Sequence, residues 1–266
     1  MERVTASDGL SLAYRIDDPN QSPATLLLLH AAMGSMVRYD AWVPTLAPHY
    51  RVVRLDLRGH GQSALPPADQ PLLLERLVAD VAALMDHLGG AAMHVVGNSA
   101  GGYLAQQLAM TQPHRVRSLA LFASTPGLKN SNAARWIPEI QKKGLRAFLA
   151  ETIHDRFPKD ADPARIAWFL NEAAKNDDAF ICKVVALMSA QDWQDEVHKI
   201  TCPTLVVIPG AEPIGATTHY EPFRRQIKDV ALTVYDGAPH NIGEAFPERC
   251  AATLLDFLSR KFGRGA

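Results

Sequence analysis

The chain has 266 residues, 47% of them hydrophobic, with 27 Lys and Arg against 28 Asp and Glu. That length suits one large α/β domain, or a core carrying an inserted subdomain. A net charge of −1 gives no reason to expect nucleic acid or an acidic membrane as a partner, and the three cysteines, Cys182, Cys202 and Cys250, show no C-x-x-C spacing. The expectation is a soluble, cytoplasmic monomer or homodimer that acts on a small molecule without metal or cofactor. It has neither a leader-like N-terminus nor an apolar run long enough to span a bilayer.

In chain order, residues 3–5 and 10–16 read as two strands around the Asp8-Gly9 turn. Residues 25–29 form a continuous apolar run, the mark of a strand buried on both faces. It ends in His30-Ala31-Ala32-Met33-Gly34-Ser35. A second such strand, 52–55, leads into Asp56-Leu57-Arg58-Gly59-His60-Gly61-Gln62-Ser63. Leu74, Leu77, Val78, Val81, Leu84, Met85 and Leu88 then share one helical face, and Gly89-Gly90 stops that helix. A strand at 93–96, a helix at 103–110 and a strand at 116–122 follow.

From about residue 126 to 200 the pattern becomes helical, with predicted helices at 132–153, 163–175 and 177–189. Asp162-Pro163 supplies an N-cap and a first-turn proline. Strands return at 203–208 and 231–235, and a helix over about 247–261 closes the chain. Buried strands alternating with helices imply a mostly parallel, eight-stranded sheet with helices on both faces and its crevice beyond the strands' carboxyl ends. The expected organisation is an α/β core from 1–125 and 201–266, with 126–200 as a helical lid.

The chemistry centres on Gly97-Asn98-Ser99-Ala100-Gly101-Gly102. A G-x-S-x-G sequence between a strand and a helix is a nucleophile elbow, in which a sharp reversal exposes the serine hydroxyl. Flanking glycines are needed where a Cβ would collide with the neighbouring strand and helix. The helix start aims unpaired N–H groups at whatever the serine attacks.

These residues resemble the α/β-hydrolase superfamily over nearly the whole chain. Its markers occur in order: Leu29-His30, the Asp56–Ser63 segment, the Ser99 elbow, Pro203-Thr204-Leu205-Val206-Val207, and a histidine loop before the last helix. The resemblance implies a serine, acid, histidine order along the chain. His240 occupies the loop after the last strand; His30 and His60 are rivals, better read as bonding loop backbone. The acid departs from the usual pattern, because Glu212-Pro213-Ile214 stands where an Asp commonly precedes Pro. Asp192 and Asp195 are alternative acids. By resemblance the oxyanion donors are the backbone N–H groups of Ala32 and Ala100, although Ala31 replaces a common glycine.

Hydrolysis of a small ester or lactone through Ser99 is the expected reaction. The predicted lid, with Arg135, Trp136, Lys142 and Phe148, is broadly similar to that of 3-oxoadipate enol-lactonases. Arg135 or Lys142 could meet a substrate carboxylate, though a solvated helix surface explains them better, and Trp136, Trp168, Phe169 and Trp193 could line a pocket. Carbon–carbon bond hydrolysis, a lyase or cofactor-free dioxygenase reaction, or a ligand-binding pseudo-hydrolase are the competing readings.

Overall fold

The computed structural model describes residues 1–129, 131–214 and 217–263. Eight strands form one sheet in the order β1-β2-β4-β3-β5-β6-β7-β8. They are β1 Glu2–Thr5, β2 Ser11–Asp17, β3 Thr25–Leu29, β4 Arg51–Leu55, β5 Met93–Asn98, β6 Val116–Phe122, β7 Thr204–Pro209 and β8 Val230–Tyr235. Pairing is antiparallel for β1 with β2 and β2 with β4, and parallel from β4 through to β8.

The two-residue period of the strands explains why both faces are apolar. Leu27 and Leu29 of β3 point into one core, while Leu26 and Leu28 point into the other. Helices α2 (Leu74–His87) and α3 (Ala100–Thr111) cover the first face. Helices α1 (Val43–Leu46) and α10 (Pro247–Phe262) cover the second.

Between β6 and β7 lie α4 (Trp136–Lys143), α5 (Leu145–Glu151), α6 (Pro163–Ala173) and α7 (Asp178–Ser189). The single helix expected over 132–153 is divided here, because Gly144 adopts φ 83° and turns the chain between α4 and α5. Asp162 and Asp177 cap α6 and α7 by accepting from Ala164 N–H and Phe180 N–H. Ile140, Leu145, Leu149, Phe157 and Phe169 form a separate apolar cluster within these helices. Helix α7 joins it to the rest: Ile181 and Val185 face that cluster, and Phe180, Val184 and Met188 face the sheet-side core. The two chain stems of this segment pair with each other, since Leu128 N–H donates to Gln191 O at 2.9 Å and Trp193 N–H to Pro126 O at 3.1 Å. Two short helices complete the chain, α8 (Glu221–Gln226) and α9 (Ile242–Ala245). No helix among the described residues is long and apolar enough to cross a membrane.

The Asp56–Ser63 segment is a structural knot. Asp56 accepts from Met36 N–H at 2.6 Å and Gln62 N–H at 2.8 Å, tying the loops after β3 and β4 together. The buried guanidinium of Arg58 donates to both oxygens of Asp80 on α2 at 2.7 Å, and to Asp8 at 2.7 and 3.1 Å. That contact draws the Asp8 carboxyl down to about 2. Removing one partner of such a buried pair costs about 3–5 kcal/mol, because the other charge stays buried and unpaired. Arg58→Met is therefore expected to lower folding stability by that amount, read from a denaturant unfolding curve.

Candidate active site

Ser99 stands between β5 and α3 with φ 49° and ψ −115°. Only a very tight reversal produces such angles, and glycines make it sterically feasible. A Cβ on Gly101 would lie 2.1 Å from Leu29 O, and one on Gly97 would lie 2.3 Å from Gly102 Cα. The serine backbone is pinned by its N–H donating to Phe122 O at 2.9 Å, while Ser124 Oγ–H donates to Ser99 O at 2.9 Å.

A chain of contacts leads away from the hydroxyl. Ser99 Oγ lies 3.1 Å from His240 Nε2, and His240 Nδ1 lies 2.8 Å from Glu212 Oε2. The other oxygen, Glu212 Oε1, accepts from Ile214 N–H at 2.9 Å. The Glu212 side chain is 1% exposed and that of His240 13%, so water does not compete for the carboxylate. A carboxylate at Nδ1 requires the proton there, which leaves Nε2 free to accept from the serine hydroxyl. Burial, and then the Glu212 charge, raise the neighbouring Tyr220 hydroxyl well above the usual tyrosine range.

The loop after β3 approaches from the other side. Gly34 N–H donates to Ala31 O at 3.0 Å, and His30 Nδ1 lies 2.8 Å from the same oxygen. Leu57 N–H donates to His30 Nε2 at 3.0 Å, which puts the ring proton on Nδ1. His30 thus grips the carbonyl end of the Ala31–Ala32 peptide, whose N–H end is Ala32 N–H. Neither Ala32 N–H nor Ala100 N–H donates to a protein group among the described residues, and both residues line the pocket with Ser99. The His60 ring nitrogens lie 2.9 Å from Arg58 O and 2.5 Å from Ala32 O, so that ring also braces the loop. Burial holds both rings below the ordinary histidine range. His30 and His60 are thus occupied by backbone.

Of the candidate acids, Glu212 meets His240. Asp192 is exposed and accepts from Gln194, and Asp195 is exposed. Arg135 and Lys142 are exposed and do not line the pocket. Trp136 and Phe169 do line it, whereas Trp168 lies at the surface and Trp193 is buried with its indole N–H donating to Gln106 Oε1. Much of the remaining wall is apolar, including Met33, Leu128, Val185 and Met188.

Three charged wall residues carry no signal in the sequence: Arg38, Arg156 and Glu244. Arg38 Nη1 lies 3.6 Å from Glu244 Oε1, with its guanidinium 4.1 Å from the Phe169 ring centroid. Arg156 lies in a run of charged residues, His154-Asp155-Arg156, that reads as surface. No sequence pattern distinguishes these residues from solvated ones. Among the described residues, no group of three or more His, Cys, Asp or Glu side chains is placed to hold a metal ion.

A family model described as the alpha/beta hydrolase fold matches residues 24–162. The chain is 26% identical over 272 residues to 3-oxoadipate enol-lactonase 1 of Acinetobacter baylyi, covering 96% of each chain. It is 34% identical over 155 residues to a Bacillus subtilis protein provisionally assigned as 2-succinyl-6-hydroxy-2,4-cyclohexadiene-1-carboxylate synthase; that match spans 55% of this chain and 56% of the relative. A solved hydrolase from Pseudomonas aeruginosa superposes with a TM-score of 0.86 at 29% identity, covering 97% of each chain.

Proposed function

Because the chain belongs to the α/β-hydrolase fold family, we propose that it is a serine hydrolase that cleaves a small carboxylic ester or lactone through an acyl-enzyme on Ser99. The observation that carries this reading is the unbroken relay Ile214 N–H, Glu212, His240, Ser99, with links of 2.9, 2.8 and 3.1 Å.

Ser99 Oγ attacks the carbonyl carbon as its proton passes to His240 Nε2, and Glu212 steadies the resulting imidazolium. Ala32 N–H and Ala100 N–H receive the negative charge that develops on the carbonyl oxygen. His240 returns the proton to the leaving alkoxide, and a water activated by the same ring then releases the acid. We read residues 126–200 as the lid of this site, since α4, α6 and α7 contribute pocket wall and the two stems close on one another.

A fluorophosphonate probe tests the nucleophile directly. The adduct is expected on Ser99, together with turnover of short p-nitrophenyl esters or lactones; labelling elsewhere would overturn the assignment. His30→Ala tests the oxyanion loop. Losing the grip on Ala31 O is expected to cost up to the worth of one donor, about 2.7–4 kcal/mol, or roughly 10²–10³ in kcat. Probe labelling of Ser99 and thermal unfolding report whether the variant remains folded.

The similarity to a protein assigned as a synthase supports a second reading, proton abstraction from a carbon acid by His240. In that chemistry the imidazole matters more than the serine, and Ser99→Ala separates the two.

A further inference from the structure

Four arginines are buried among the described residues: Arg38, Arg54, Arg58 and Arg156. Arg54 meets Asp17 and Asp40, Arg58 meets Asp8 and Asp80, and Arg38 meets Glu244. Arg156 differs. It is 4% exposed, yet no carboxylate oxygen among the described residues comes within 4.0 Å of its guanidinium. Its Nη1 donates to Thr152 O at 3.0 Å and Thr152 Oγ1 at 2.7 Å, and Nε and Nη2 donate to no protein group among the described residues. The guanidinium carbon lies 5.4 Å from the ring centroids of Trp136 and of Phe148.

Leaving a guanidinium buried without an anion is costly, and a fold retains that arrangement most readily where a ligand supplies the anion. Burial lowers the Arg156 pKa to about 10, which still leaves it cationic at neutral pH. Arg156 lines the pocket that holds Ser99 and His240. Its backbone is also bonded to the histidine loop: His240 N–H donates to Asp155 O and Asn241 N–H to Arg156 O, both at 3.1 Å. A group held by Arg156 is therefore held at a fixed reach from the reacting atoms, which is what substrate positioning requires.

We infer that Arg156 is the recognition site for a carboxylate borne by the substrate, so that this pocket takes esters or lactones with an apolar body and one free acid group. The inference rests on the serine hydrolase reading for its reaction, but not for its binding site. A monoanion fits better than a phosphate dianion, because Glu212 and Glu244 line the same wall and Arg38 is already engaged by Glu244. The planar guanidinium fork also matches carboxylate geometry.

The test has a binding arm and a turnover arm, each run on wild type, Arg156→Met and Arg156→Lys, with thermal unfolding of each protein recorded. In the first arm, calorimetry compares 5-phenylpentanoate with its neutral amide. Wild type is expected to bind the acid about 10- to 100-fold more tightly, the range of a charge-assisted hydrogen bond. Arg156→Met should erase that preference and Arg156→Lys should keep part of it. Equal binding of acid and amide by wild type, or a preference that survives Arg156→Met, would overturn the inference. The second arm compares kcat/KM for p-nitrophenyl hemiglutarate and p-nitrophenyl valerate, whose ratio should follow the binding preference across the three proteins. Acid-selective binding with neither ester cleaved sinks the hydrolase reading and leaves the carboxylate site standing. Turnover of both esters at similar kcat/KM by wild type does the reverse.

Discussion

Ser99→Ala is expected to lower kcat for ester hydrolysis by roughly 10⁴–10⁶-fold, the scale on which removal of a serine nucleophile acts when its base and oxyanion donors remain. KM for a neutral ester should change little, since the pocket wall is untouched. A carbon-acid substrate that continues to react in this variant would replace acyl transfer with proton abstraction by His240. The same residue makes a second, opposite prediction about stability. Ser99 holds φ 49° and ψ −115°, a conformation that costs a side-chain-bearing residue about 1–3 kcal/mol. Ser99→Gly should relieve that strain and raise the unfolding midpoint while abolishing turnover. A stability unchanged in Ser99→Gly would mean that the elbow is not strained, and that the hydroxyl is presented at no energetic cost.

The sequence carried the architecture because its signals are local. The runs at β3 and β7 are apolar without interruption from Leu26 to Leu29 and from Leu205 to Ile208, as strands buried on both faces require, while β4 carries Arg54 and β5 His94 within mostly apolar runs. Gly97, Gly101 and Gly102 belong at a tight turn because the turn's own backbone, Leu29 O and the Ser124 side chain respectively leave no room for a Cβ. Glu212 could be picked out by its place after β7, although its length differs from the usual aspartate. The structure shows how the extra methylene is accommodated, with Ile214 N–H fixing one carboxylate oxygen while the other faces the imidazole.

What the sequence did not carry is mostly non-local. Arg38 and Glu244 are 206 residues apart and are recognisable as a pair only after α9 has been packed beside the loop following β3. Arg156 lies among charged neighbours, and nothing in its vicinity signals that the guanidinium is buried over Trp136 and Phe148. The division of α4 from α5 is illegible in the sequence for a different reason. Gly144 inside a helical pattern is compatible with a mildly destabilised helix as well as with a break, and only its φ of 83° decides between them.

Glu212→Gln should reduce kcat by about 10⁴-fold, comparable to the loss seen when the acid of a serine triad becomes an amide. The reason lies in the two donors that the carboxylate now satisfies. Ile214 N–H points at Oε1 and His240 Nδ1–H at Oε2, and an ionised carboxylate accepts both. An amide has one accepting oxygen. If that oxygen faces Ile214, the NH₂ group faces His240 and stabilises the tautomer with its proton on Nε2; the ring then presents a hydrogen to Ser99 and has no lone pair for it. If the oxygen faces His240 instead, two donors confront each other at Ile214 in a site where the side chain is 1% exposed, at a cost of about 1–3 kcal/mol for the unsatisfied group. The first outcome leaves the hydroxyl in place and removes its base; the second keeps the base, at that cost, but sets a neutral amide in place of the charge that steadies the imidazolium. The variant should therefore bind ester normally, label slowly with a fluorophosphonate, and show its loss in kcat rather than in KM. Glu212→Asp keeps the charge but retracts it by one methylene, so it should fall between the two. Full esterase activity in Glu212→Gln would detach the carboxylate from the reaction and leave Ser99 and His240 as a dyad.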